Sequence, residues 1–91
     1  MTIVVRKISK PACAPCALLA NVLKTNASLL EDKDAVLIEQ DIADEPAIIE
    51  QFDITSAPTV IFEKDGEEVA RLAGARAISE VFSTLERVSN N

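Results

Sequence analysis

Two cysteines lie within the segment Ile8 to Leu19, ISKPACAPCALL, at Cys13 and Cys16, and the chain has no others. Thiols at this spacing suit thiol–disulfide exchange when they open a helix. Free N–H groups and aligned peptide dipoles there favour a thiolate at the first sulfur. Cys13 is that sulfur, and Cys16, one turn further in, lies on nearly the same face and can reach it. Cys13 is therefore expected to attack a partner's disulfide, and Cys16 to resolve the mixed disulfide that forms. Pro15 stiffens the turn and removes an N–H near the sulfurs, and Lys10 offers positive potential nearby. Competing readings are two cysteines acting as small core hydrophobes, or a zinc site. Zinc normally takes four ligands, and the chain has two thiols and no histidine. A metal site within one chain is thus not expected, which leaves a cluster shared between two chains or a carboxylate-assisted site.

The elements that must position this pair follow from periodicity. Ile3 to Ile8 reads as a strand, and Lys10-Pro11-Ala12 ends it. A helix rich in alanine and leucine is expected from Cys13 to about Leu30, with Pro15 in its first turn. Its buried face would be Leu18, Leu19, Val22, Leu23 and Ala27. Ala35 to Gln40 is the second strand. Asp41 is expected to cap, and Pro46 to start, a short helix that buries Ile48, Ile49 and Phe52. Thr59 to Glu63 and Glu67 to Leu72 are strands joined by a hairpin at Asp65-Gly66. The last helix runs from about Arg76 to Val88, with Ile78, Val81, Phe82, Leu85 and Val88 on one side. The order βαβαββα implies an α/β fold with a mixed four-stranded sheet flanked by three helices.

Composition narrows the function. A chain of 91 residues, 48% of them hydrophobic, fits one small domain with a real core. Its formal net charge of −6, from 15 acidic and 9 basic residues, aids solubility and argues against nucleic-acid binding. No run is long enough to cross a bilayer, and no leader is visible at the N-terminus as given. The expected setting is the cytoplasm, where a disulfide is more often transient than structural, and the expected state is a monomer.

With these features assembled, the chain resembles the thioredoxin/glutaredoxin superfamily along almost its whole length. The likeness is to a compact version lacking the extra first strand and helix of full-length thioredoxins, as a single domain over 1–91. Ser9-Lys10-Pro11-Ala12-Cys13-Ala14-Pro15-Cys16 is similar to the front of glutaredoxins and of glutaredoxin-like hydrogen donors of ribonucleotide reductase. Phe52-Asp53-Ile54-Thr55-Ser56-Ala57-Pro58-Thr59 resembles the thioredoxin segment that carries a cis-proline. Phe62 to Glu67 resembles its hairpin, and Leu72-Ala73-Gly74-Ala75 the approach to its last helix.

The resemblance implies a protein-disulfide reductase with a redox-active Cys13–Cys16 disulfide and no bound cofactor. It implies a cis Pro58 facing the dithiol and an Ala57 that offers its backbone to an extended substrate. Ala12, Ala57, Thr59 and Gly74 would form the substrate surface, with Ile54 as a further apolar neighbour. Gly74 is expected to allow a bulge or close approach there, or else to start the last helix. Departures from the family matter equally. Ala12 stands where thioredoxins have tryptophan, Ala14 where they have glycine, and Lys7 aligns with the aspartate they bury beneath the second thiol. The aromatic and the glycine–acid pattern that glutaredoxins use around glutathione are missing, which leaves Lys10 and Arg76 to meet its carboxylates. The expected reductant is a thioredoxin-reductase-type flavoprotein, with glutathione as the alternative. A different class of reading is a non-enzymatic redox-sensing or adaptor domain.

Overall fold

The β-branched run that opens the chain becomes an inner strand of a sheet. The computed structural model describes residues 2–90. Strand β1 (Ile3–Ser9) pairs in parallel with β2 (Ala35–Asp41) and antiparallel with β3 (Thr59–Lys64), and β3 pairs antiparallel with β4 (Glu67–Ala73). The order across the sheet is β2-β1-β3-β4. Helices α1 (Ala14–Thr25) and α2 (Ala27–Asp32) join β1 to β2, α3 (Ala47–Gln51) joins β2 to β3, and α4 (Ala75–Ser89) ends the chain. This is the expected mixed α/β sheet, with each strand one residue longer than its periodicity suggested.

The alternation of β1 divides the core in two. Ile3 and Val5 pack with Leu19 and Leu23 of α1 and with Val81 and Leu85 of α4, while Phe62 fills the same layer from β3. On the opposite face, Ile8 packs with Ile48 of α3 and Ile61 of β3, flanked by Ile42, Phe52 and Ile54. Helix α3 has only five residues and leaves part of that face uncovered. A polar lattice lies there. Arg6 pairs with Glu63 (2.8 Å), donates to Gln40 Oε1 (2.9 Å), and lies 4.7 Å from the Phe52 ring centroid. The Arg6 and Glu63 side chains are only 16% and 15% exposed.

The structure corrects several sequence expectations. The helix expected from Cys13 to Leu30 is two segments, so four helical segments flank the sheet and not three. The break falls at Asn26, where the side-chain amide donates to Val22 O (2.9 Å), just after Thr25 Oγ1 donates to Asn21 O (2.7 Å). Two consecutive side chains that bond the preceding turn compete with continuation of the helix. Leu18 is 59% exposed, and Ala27, beyond the break, is exposed as well. Ile49 is 41% exposed. Asp41 does not cap α3; its carboxylate accepts from Ala43 N (2.8 Å) within a turn, and Pro46 holds the α3 cap position. The bulge expected at Gly74 lies instead between Phe62 and Glu63, where Val69 of β4 is the extra residue.

Two glycines serve backbone geometry. Asp65 and Gly66 both have positive φ (54° and 87°), the combination a two-residue hairpin turn needs. Gly74, at φ 64°, takes the cap position of α4, and a Cβ there would meet nothing within 4 Å. Its requirement is the backbone angle and not a close approach.

Adjacent leucines test the burial pattern. Leu19 is fully buried and Leu18 is 59% exposed. Leu19→Ala is expected to lower unfolding free energy by about 2–5 kcal/mol, and Leu18→Ala to change it by less than about 0.5 kcal/mol. Urea denaturation followed by circular dichroism reads both. Equal losses would contradict the packing described.

Candidate active site

Cys13 occupies the N-cap of α1, with extended backbone (φ −117°, ψ 103°), and Pro15 follows within the first turn. A proline is tolerated there because its missing N–H would have no partner in the helix. Cys13 and Cys16 are disulfide-bonded, with Cα atoms 5.3 Å apart. The N–H of Cys16 donates to Cys13 Sγ at 3.2 Å. One free donor of the helix terminus is thus aimed at the first sulfur, which favours negative charge at that atom once the bridge opens. Cys13 is partly exposed, and Cys16 is 5% exposed. The first sulfur is reachable from solvent, and the second faces the interior.

Strand register brings the remaining candidates to the same end of the sheet. β1 ends at Ser9, opposite Asp41 of β2, while Ile8 pairs with Thr59, the first residue of β3. Thr59 in turn pairs with Ala73, the last residue of β4. The cysteine loop, the Ser56–Pro58 turn and Gly74 therefore leave neighbouring strand ends. The Ala57–Pro58 peptide is cis. Gly74 N–H donates to Pro58 O at 2.8 Å, tying the start of α4 to that turn. Pro58 is fully buried and Ala57 partly exposed. Thr59 is 2% exposed, and its hydroxyl donates to Ser56 O (2.7 Å), so this side chain shapes the turn from inside. Ala12 and Lys10 are exposed. Lys10 and Ala57 share the rim of a shallow, mainly apolar cleft of about 210 Å³ with Ile42, Ile49, Ile54 and Thr55.

Two features of this end were not read from the sequence, and a third was read only in part. Ala12, directly before Cys13, has a positive φ of 54°, a conformation an alanine adopts at some cost. Lys7 is 7% exposed and pairs with Glu39 at 3.4 Å; its burial was left open by the sequence, and its partner lies on another strand. Arg71 of β4 donates to Phe52 O (2.7 Å) and Asp53 O (3.4 Å) and pairs with Glu68 through two nitrogens (2.9 and 2.8 Å). It thereby fastens the segment leading to Ala57 and Pro58. No local pattern marks Arg71, because its carbonyl partners lie 18 and 19 residues away. Among the described residues, no cluster of three or more His, Cys, Asp or Glu side chains is placed to hold a metal ion, and no helix is long and apolar enough to cross a membrane.

A sheet of this topology with a dithiol loop beside a cis-proline turn defines a class of protein, and comparison with known proteins agrees. The thioredoxin family model matches residues 2–87. The thioredoxin of Chlamydia caviae is 43% identical over 65 residues, covering 70% of this chain and 61% of that protein. Thioredoxin H5 of Oryza sativa subsp. japonica is 34% identical over 87 residues, covering 92% of this chain and 62% of that protein. The solved structure of Fasciola hepatica thioredoxin superposes with a TM-score of 0.84 at 24% identity, over 94% of this chain and 80% of that one. The chain belongs to the thioredoxin family. It spans about three fifths of the length of those two relatives.

The Arg71 clamp has a measurable signature. Hydrogen bonds from Arg71 hold the Glu68 carboxyl below its ordinary value, against an opposing effect of burial and with further help from the Arg71 charge. A carboxylate whose folded pKa is depressed contributes stability above its unfolded pKa, and loses it as pH falls through the folded value. Glu68 is 43% exposed, so solvent screening keeps this contribution small. In Arg71→Ala, NMR titration should show Glu68 returning upward to the ordinary range, with faster amide exchange across Ile54 to Ala57. Unchanged exchange in that segment would rule out the clamp.

Proposed function

We propose that this chain is a single thioredoxin-like domain over residues 1–91 that reduces protein disulfides through a reversible Cys13–Cys16 dithiol/disulfide. The observation that carries the reading is the Cys13–Cys16 bridge at the mouth of α1, with the Cys16 N–H aimed at Cys13 Sγ. Partial exposure makes Cys13 the nucleophile, and burial makes Cys16 the resolving thiol. In the first step the Cys13 thiolate attacks one sulfur of the partner's disulfide. A Cys13–partner bond forms, and the other partner sulfur leaves with the electron pair and takes a proton. Cys16, as thiolate, then attacks Cys13 Sγ and expels the second partner sulfur in the same way. The partner gains two electrons and two protons, and the dithiol becomes the disulfide.

Ala12, Ala57 and Gly74 supply the surface around these atoms, with Pro15 and Pro58 shaping it. Small apolar side chains give a flat surface, which suits an extended protein segment more than a small charged molecule. Glutathione requires groups aimed at its carboxylates. Lys10 and Arg76 are the nearby cations, and Arg76 is already paired with Glu80 at 2.9 Å. The net charge of −6 gives no general attraction for an anionic tripeptide. The reductant we assign is therefore a thioredoxin-reductase-type flavoprotein, acting on a monomer in the reducing cytoplasm.

Insulin reduction with dithiothreitol tests the activity. Cys13→Ser should abolish it, and Cys16→Ser should accumulate a mixed disulfide visible by mass spectrometry. Activity undiminished in Cys13→Ser would remove the assignment. NADPH consumption, with thioredoxin reductase in one arm and glutathione plus glutathione reductase in the other, tests the reductant. Turnover should be faster in the first arm. Faster turnover in the glutathione arm, lost in Lys10→Ala, would reverse the choice.

A further inference from the structure

Strand β1 and helix α1 run in opposite directions along one face of the sheet, and their buried residues keep step. Ile3 and Val5 lie in one cluster with Leu19 and Leu23. Two strand residues advance by roughly 6.6 Å, and three to four helical residues by roughly 4.5–6 Å. The series therefore continues from Val5 to Lys7 on β1 as it continues from Leu19 back to Cys16 on α1. Lys7 is 7% exposed and Cys16 is 5% exposed. The register thus sets two buried residues, Lys7 and Cys16, at the same end of β1 and α1.

The charges around this pair are unequally placed. Lys7 Nζ pairs with Glu39 Oε2 at 3.4 Å, but the Lys7 side chain is 8% exposed and that of Glu39 is 59% exposed. Asp41 at the end of β2, and Asp44 and Glu45 from the turn before α3, line a cleft of about 200 Å³ with Lys7, Ser9 and Glu39. From β3, the neighbour of Lys7 is the apolar Val60. On α4, the nearest charges to the start of the helix are the exposed Arg76 and Glu80, paired with each other. Solvent screens the exposed carboxylates, while the Lys7 charge acts through protein.

We infer that Lys7 is a positioning residue for the resolving step, its buried positive charge favouring the thiolate of Cys16. The inference rests on the reading of Cys16 as the resolving thiol. In the mixed disulfide, Cys16 gives its proton to solvent, and the Lys7 charge favours the resulting thiolate. It attacks Cys13 Sγ, the Cys13–Cys16 bond forms, and the Cys13–partner bond breaks. The partner's sulfur leaves with the electron pair and is protonated by solvent. Lys7 itself neither gains nor loses a proton in this sequence. Resolution therefore stays fast below the pH at which an ordinary thiol ionises.

The test isolates one thiol. Cys13→Ser protein, reduced and desalted, is titrated by ultraviolet thiolate absorbance, alone and combined with Lys7→Gln or Lys7→Arg. Lys7→Gln should raise the Cys16 midpoint by about one pH unit, roughly tenfold in thiolate fraction at fixed pH, and Lys7→Arg should hold it near the parent value. A midpoint that stays put or falls in Lys7→Gln overturns the inference. Circular dichroism checks folding, and Lys7→Met replaces the glutamine variant if that protein unfolds. In the intact dithiol, single-turnover release of the partner thiol should become steeply pH-dependent in Lys7→Gln; a profile identical to wild type also overturns the inference. The titration reads Lys7 whether or not insulin is reduced, so its failure and that of the proposed function are told apart.

Discussion

Strand β1 is hydrogen-bonded on both sides, and the rest of the molecule depends on that constraint. Its pairing with β2 and β3 fixes the point at which the chain must leave the sheet for the cysteine loop. Its alternation decides which side chains face which helix. Val5 and Ile8 are fully buried on opposite faces, so sliding the strand by one residue would exchange the two cores. The same register places Lys7 under α1 and Arg6 beside Phe52. Chemistry at Cys13 therefore inherits its position from a strand that carries no reactive group itself.

The two faces of the sheet solve the problem of burial differently. Beneath α1 and α4 the layer is apolar almost throughout, with Thr84 of α4 and, at its active-site end, Lys7 as exceptions. Beneath α3 the cover is too short, and Arg6, Glu63 and Gln40 take over where apolar packing stops. An ion pair there has partial access to water, which spares it the full desolvation cost of a buried pair. The planar guanidinium also lies over Phe52, which adds a favourable contact that a lysine would make less well.

Most of the fold was legible because its signals are local. Strands announced themselves through β-branched runs, the hairpin through Asp65-Gly66, and α4 through apolar residues at steps of three and four. The cysteine pair and the proline in its turn were equally plain. What escaped detection depends on partners distant in sequence. The α1–α2 break turns on where the Thr25 and Asn26 side chains point, since both residues are tolerated in helices. Burial of Leu18 or Leu19 depends on the direction from which α4 approaches. Arg71 gains its importance from two carbonyls across a loop, and Lys7 from Glu39 on the neighbouring strand. Residue type identified the thiols, and the family resemblance set Lys7 beneath the second; its burial and its pairing with Glu39 show only in the fold.

Strand β2 lies at one border of the sheet. One side of its backbone is bonded to β1, and the other offers a row of amide and carbonyl groups, with Val36 49% exposed beside them. Such a border is a template on which another extended chain can add. Its protection here is electrostatic. Glu39 and Asp41 belong to the strand, and each copy of the molecule carries a net charge of −6. In-register parallel stacking would set like carboxylates against one another. Near the isoelectric point of about 4.5 the net charge vanishes, and the general repulsion between copies goes with it while the hydrogen-bonding row stays intact. The same surface acidity that keeps copies apart near neutrality makes colloidal behaviour sensitive to acid.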